Sequence, residues 1–191
     1  MIVFLDTEFT QLGGNPLLLS IGIVGGDGTR GEFYVEVTDT ARLHAASAFA
    51  LNVVLPQLGK VPGAACTYEE AGTRVFSYFA ALVKALPRRE TLAVAYECDL
   101  DWVLLERAMQ ETKRRLWPPL SKMLRPVNVY NVPGFAAGET ASRAYFETQR
   151  FALFARHHAL CDARALRIAY EAAKAASSSA RSTVRQLDAA S

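Results

Sequence analysis

The stretch Phe4-Leu5-Asp6-Thr7-Glu8-Phe9 constrains this chain more than any other. It lies in an almost wholly apolar run from Ile2 to Phe9, the pattern of a buried strand, and strand geometry sends Ile2, Phe4, Asp6 and Glu8 to one face. At about 3.3 Å of rise per residue the two carboxylates stand roughly 7 Å apart along the backbone. Burying two like charges that close is costly unless a cation lies between them. A hard divalent ion, Mg²⁺ or Mn²⁺, meets that need, because such ions take carboxylate oxygens. On this stretch alone, a strand end with both acids in water accounts for the residues equally well.

The chain has 191 residues, enough for one well-buried domain and few for two. A single domain is expected over residues 1–176, with a Ser- and Ala-rich tail over 177–191 that should fray. With 51% hydrophobic and 21% charged residues, global disorder is excluded. The net charge of +2 is too small for a nucleic-acid coat protein or a membrane-surface binder, so any polyanion must be met locally. Cys66, Cys98 and Cys161 are odd in number and far apart, with no CxxC and no His at zinc-ligand spacing, and read as reduced, mostly buried thiols. Asp6 and Glu8 interrupt the only early apolar run, and no segment approaches the roughly 20 residues of a membrane span. A cytoplasmic location is the expectation.

Along the chain, Gln11 to Pro16 carries turn signals, and Leu17 to Val24 and Gly31 to Val37 read as two further strands around a Gly25-Gly26-Asp27-Gly28 turn. Together with the first strand they make an antiparallel meander. Thr67 and Glu70 suit a capping box, followed by Ala71, Val75, Phe79 and Leu82 at helical spacing. Thr91 to Tyr96 is a strand, Asp101 to Gln110 a helix, Val127 to Val132 a last short strand and Ala159 to Ala176 a helix; Pro133 to Arg156 gives mixed signals. The basic cluster Lys113-Arg114-Arg115 is most simply a solvated face. The alternation suits a mixed α/β sheet flanked by helices.

Two more acidic positions bear on the first pair. In the closing helix Asp162 shares its face with Ala165, Leu166 and Ala169, the stripe that should pack on the sheet, so it needs a partner. Its neighbours His157 and His158 sit on the preceding loop or first turn. Between the motifs, Tyr96-Glu97-Cys98-Asp99-Leu100-Asp101 runs from a strand into a helix, where either Asp99 or Asp101 could serve as a plain N-cap.

Asp-x-Glu on the first strand, Asp at a central strand-to-helix junction and His-x-Ala-x-x-Asp-Ala opening the last helix resemble the motifs of the DEDDh exonucleases, in order and over nearly the whole chain. The Val-Leu-Pro-Gln-Leu piece at 54–58 is similar to part of a small bacterial branch of RNase T-like 3′-to-5′ exoribonucleases. The resemblance implies an RNase H-like mixed five-stranded sheet flanked by helices. It implies two Mg²⁺ (or Mn²⁺) ions held by Asp6, Glu8, Asp101 and Asp162, with His157 as general base. Thr7, Phe9, Thr10, Gln11 and Asn15 would meet the terminal nucleotide of single-stranded RNA 3′ ends, or of DNA, and a homodimer is expected. Two departures leave assignments open: Glu97 stands where the second motif often has Asn, with Asp99 as an added acid, and His158 follows His157. A catalytically inactive nucleic-acid-binding protein would be expected to have lost one of the five residues, and a glycosidase using Asp6 and Glu8 would need no metal.

Overall fold

A computed structural model describes residues 1–26, 31–149 and 155–189, with side chains as far as residue 179. Six strands, β1 (Ile2–Phe9), β2 (Leu18–Gly25), β3 (Phe33–Val37), β4 (Ala65–Cys66), β5 (Leu92–Tyr96) and β6 (Leu124–Asn128), form one mixed sheet in the order β4-β3-β2-β1-β5-β6. β1, β2 and β3 are the antiparallel meander that the alternation predicts, and β5 runs parallel to β1. The turn expected at Gly25-Gly26-Asp27-Gly28 lies partly outside the described residues.

Two strand expectations need correction. The sheet has six strands instead of five, because the two-residue β4 pairs parallel with the end of β3. The last strand is Leu124–Asn128, not Val127 to Val132, and it carries Pro126 opposite Val94. A proline has no N–H to give a ladder, but β6 is an edge strand and can hold it where no partner waits. After Asn128 the chain tightens into a 3-10 turn, Val129–Asn131, whose Tyr130 N–H donates to the Asn128 side chain.

The helices are α1 (Thr40–His44), α2 (Tyr68–Lys84), α3 (Asp99–Thr112), α4 (Trp117–Ser121), α5 (Phe135–Gln149) and α6 (Ala159–Ala189). α2 opens with the Thr67–Glu70 capping box and buries Ala71, Val75, Phe79 and Leu82. It packs with α3 against one sheet face, over Val3, Leu5, Ile21, Ile23 and Val94. The alternation of β1 sends Phe4 the other way, against Leu166 of α6. α6 continues past Ala176 into the Ser- and Ala-rich tail. Within the region of mixed signals Phe135–Gln149 forms α5, with only Gly138 buried along its length, and residues 150–154 lie outside the described residues.

Two glycines set how closely α6 is approached. Gly22 on β2 faces Asp6 across the ladder, and a Cβ there would collide with the backbone of Ala159 and Leu160. The first turn of α6 therefore rests directly on the sheet beside the β1 acids. At Gly138 a Cβ would stand 2.7 Å from the Ala169 carbonyl oxygen, so α5 lies against α6 backbone to backbone. No helix among the described residues is long and apolar enough to cross a membrane.

Candidate metal centre

The C-terminal end of β1 opens into a cleft of about 1070 Å³ between the sheet, α5 and the start of α6. Its floor is acidic: Asp6, Glu8, Asp101 and Asp162 all line it, with Glu97 at the edge. The stripe read from the last helix is there too, as Asp162, Ala165, Leu166 and Ala169. Four acids from three distant segments thus converge, each delivered by an element whose sequence pattern is visible. β1 alternation delivers Asp6 and Glu8, a strand-to-helix junction delivers Asp101, and the buried face of α6 delivers Asp162.

Asp101 is held tightly. Its Oδ1 accepts from the Thr7 N–H at 3.1 Å and the Thr7 hydroxyl at 2.8 Å, and its Oδ2 accepts from the Cys98 N–H at 3.1 Å. Asp99 is exposed, does not line the cleft, and accepts from the Asn128 side chain. Of the two candidates at the second motif, Asp101 is the one that reaches the site.

Burial and mutual repulsion push these carboxyls upward. Asp6 rises well above the usual carboxylate range, first through burial and then through the charges of Asp101, Asp162 and Glu8. Glu8 is pushed up to about 9 by burial and by Asp162 and Asp101. Asp162 rises to about 7 through burial, against a hydrogen bond from the His157 N–H. Asp101 rises only to about 6, because burial is opposed by the Thr7 and Cys98 donors.

The acids suit a divalent cation on two counts. Asp6 Oδ2 and Asp162 Oδ1 are buried and accept no hydrogen bond, although buried oxygens are nearly always paired. Glu8, Asp162 and His157 each offer one ligand atom within 4.8 Å of one another. The carboxylate oxygens are the donor set that suits Mg²⁺ or Mn²⁺, and they leave the His157 imidazole beside them to handle a proton.

The two histidines separate clearly. His157 lines the cleft, its ring edge-on to Phe49 at 4.9 Å, and burial together with the Arg156 charge lowers its pKa. Its φ of 68° is a left-handed value that costs a non-glycine residue about 1–2 kcal/mol. His158 is fully buried and stacks on Tyr34 at 4.6 Å, with burial lowering its pKa to about 4. It belongs to the core.

Among the residues expected to meet a substrate, Phe9 and Gln11 line the cleft, and Thr7 lines it while spending its hydroxyl on Asp101. Thr10 and Asn15 are not brought there. The Thr10 hydroxyl is fully buried and accepts from the Leu17 N–H, while Asn15 bonds Arg107 at a separate 210 Å³ cavity. Several lining residues escape a sequence reading. α5 turns Phe135, Glu139, Arg143 and Phe146 toward the cleft, and Tyr130 donates its hydroxyl to Glu97 at 2.7 Å. The 3.6-residue recurrence of 135, 139, 142, 143 and 146 was the signal for α5, weakened by its small residues.

No protein-family model matches the chain, and no curated protein matches it in sequence. Among solved structures it is similar to the nuclease domain of 3′hExo, a DEDDh family member, bound to rAMP. The superposition has a TM-score of 0.54 at 18% identity and covers 89% of this chain and 90% of that one. The chain therefore shares the RNase H-like fold of that domain, a mixed sheet flanked by helices, and carries its own acidic cleft at the end of the first strand.

Proposed function

We propose that this chain is a divalent-metal-dependent 3′-to-5′ exonuclease acting on single-stranded RNA 3′ ends and releasing nucleoside 5′-monophosphates. The observation that carries the reading is the convergence of Asp6, Glu8, Asp101 and Asp162 beside His157 in one cleft, on a fold shared with a nuclease domain that binds rAMP. Asp6, Glu8, Asp101 and Asp162 would hold the ions. Two bound Mg²⁺ or Mn²⁺ would supply positive charge to the scissile phosphate and the leaving 3′ oxygen.

His157 takes a proton from the attacking water onto its imidazole as the water oxygen bonds phosphorus and the bond to the 3′ oxygen breaks. Its lowered pKa keeps the ring neutral and able to accept at pH 7. Arg143 and Arg156 in the cleft are suited to the phosphates, and Phe9, Phe49 and Tyr130 to base stacking. The preference for RNA rests on the resemblance to the RNase T-like branch, as does a homodimer, which light scattering would measure.

The test is a time course on 5′-labelled single-stranded RNA and matched DNA with Mg²⁺, Mn²⁺ or EDTA, beside Asp6→Ala. The expected outcome is metal-dependent laddering from the RNA 3′ end, absent in the variant. Faster decay of DNA moves the substrate class to DNA. Cleavage by Asp6→Ala at the wild-type rate overturns the metal assignment, and no cleavage of either strand under any metal overturns the enzyme.

A further inference from the structure

Residues 50–57 form an unusual device beside the cleft: a π turn at Ala50–Val54 runs straight into a 3-10 turn at Leu55–Gln57, with Pro56 inside it. Ala50 and Val54 anchor the segment by packing on Leu19 of β2. Irregular helical turns of this kind aim a side chain that a regular helix would send elsewhere. The side chain so aimed is that of Gln57.

The Gln57 amide grips the strand of chain that leads into α6. Its Nε2 donates to the Arg156 carbonyl at 2.9 Å and the His157 carbonyl at 2.9 Å, and lies 3.2 Å from the Val53 carbonyl. Its Oε1 accepts from the Ala155 N–H at 2.9 Å. The orientation of the amide is settled by its partners, because carbonyls surround one end and an N–H the other. Only a glutamine or asparagine can donate and accept in this way, and asparagine is one methylene shorter. From the opposite side the His157 N–H is fixed by Asp162 Oδ2 at 3.0 Å. His157 is thus held at both its N–H and its carbonyl while in a left-handed conformation it would not adopt unaided.

We infer that Gln57 is a positioning residue, clamping the 155–157 segment so that the His157 imidazole stands over Glu8 and Asp162. The inference rests on the reading of His157 as general base in the proposed nuclease. It explains why the Val-Leu-Pro-Gln-Leu piece lies 99 residues from Arg156 in sequence and yet bonds it.

Two variants separate the clamp from general stability. Gln57→Glu keeps the size and the acceptor for Ala155 but presents oxygen to two carbonyls, and Gln57→Ala removes the contacts altogether. Both should lower kcat on the RNA substrate by about 10- to 100-fold with KM within about threefold, the range for lost positioning of a general base. In a His157→Ala background, Gln57→Glu should lower kcat by no more than about twofold, because a residue that acts through His157 has nothing left to position. Hydrogen exchange supplies a readout independent of turnover: the Ala155 amide, whose acceptor is Gln57 Oε1, should exchange at least about tenfold faster in Gln57→Ala.

Wild-type kcat in Gln57→Glu overturns the inference, as does an equal loss with and without His157. So does unchanged exchange at Ala155. If the wild-type protein cleaves neither RNA nor DNA, the nuclease reading fails on its own, while faster exchange in Gln57→Ala still establishes the clamp on His157.

Discussion

At the residue scale the four cleft acids are not equivalent. Asp162 pairs one oxygen with the His157 N–H and leaves the other buried without a partner, and burial raises its pKa to about 7. An Asn at 162 keeps the shape and an acceptor for that N–H while removing a charge from a repelling group. Asp162→Asn should therefore melt higher than wild type in EDTA, at about 2–4 °C per kcal/mol relieved for a chain of this size, and lose metal-dependent cleavage. Asp101→Asn should do the opposite. Both Asp101 oxygens already accept N–H or O–H donors, so an amide NH₂ must face one of them, at a cost of about 1–3 kcal/mol. Calorimetry in EDTA decides it, and shifts of the same sign in both variants would sink the distinction. This inequality is invisible in the sequence, where each acid reads alike. The strand alternation places Asp6 and Glu8, and the helix stripe places Asp162, because both are periodicities of one element. Gln57 and the Tyr130–Glu97 bond depend on segments far apart in the chain, and no local pattern encodes them.

At the element scale, the expectations that hold are those with a strong period. β1, α2 with its capping box and the start of α6 stand where alternation and helical spacing put them. β6 and α5 are where pattern is weakest. Pro126 marks a break to a local reading, but an edge strand tolerates it. α5 has little apolar stripe because its contact with α6 is made by small residues at close range, which periodicity does not register. Gly138 tests that contact by the sign of its effect. On a solvated helix Gly→Ala stabilises by about 1 kcal/mol through propensity. Against the Ala169 carbonyl, Gly138→Ala should instead destabilise, by about 1–3 kcal/mol, as overpacked sites do. Because α5 is the outer wall of the cleft, KM for the RNA substrate should rise several-fold as well. A melting temperature above wild type would show that α5 is not packed backbone to backbone on α6.

At the scale of the whole molecule, the acid cluster makes stability a function of pH and of divalent cations together. Asp6, Glu8, Asp101 and Asp162 all have raised pKa values, Glu8 as high as about 9, against ordinary values near 4 in an unfolded chain. Through these four groups the folded state binds more protons than the unfolded state between about pH 4 and pH 9; the lowered pKa values of His157 and His158 oppose this only below about pH 6.5, so stability must fall as pH rises from there to pH 9. Glu32 acts the other way, its pKa lowered by the hydrogen bond from Arg164, and its contribution is lost as pH falls. That pair is partly exposed, which screens it, so the cluster sets the slope. A divalent ion competes with the protons and takes the ionised carboxylates, so its stabilisation should grow with pH. In EDTA the melting temperature should decline from about pH 6.5 to pH 9. Mn²⁺ at about 100 times its Kd should add about 2.7 kcal/mol, or roughly 5–10 °C, and the gain should be larger at pH 8 than at pH 6. Glu8→Gln should flatten the upper part of the decline, since Glu8 titrates highest among the groups with a stated value. A melting temperature indifferent to both pH and Mn²⁺ would mean that groups within the protein already neutralise the four acids, and the metal centre would fall with it.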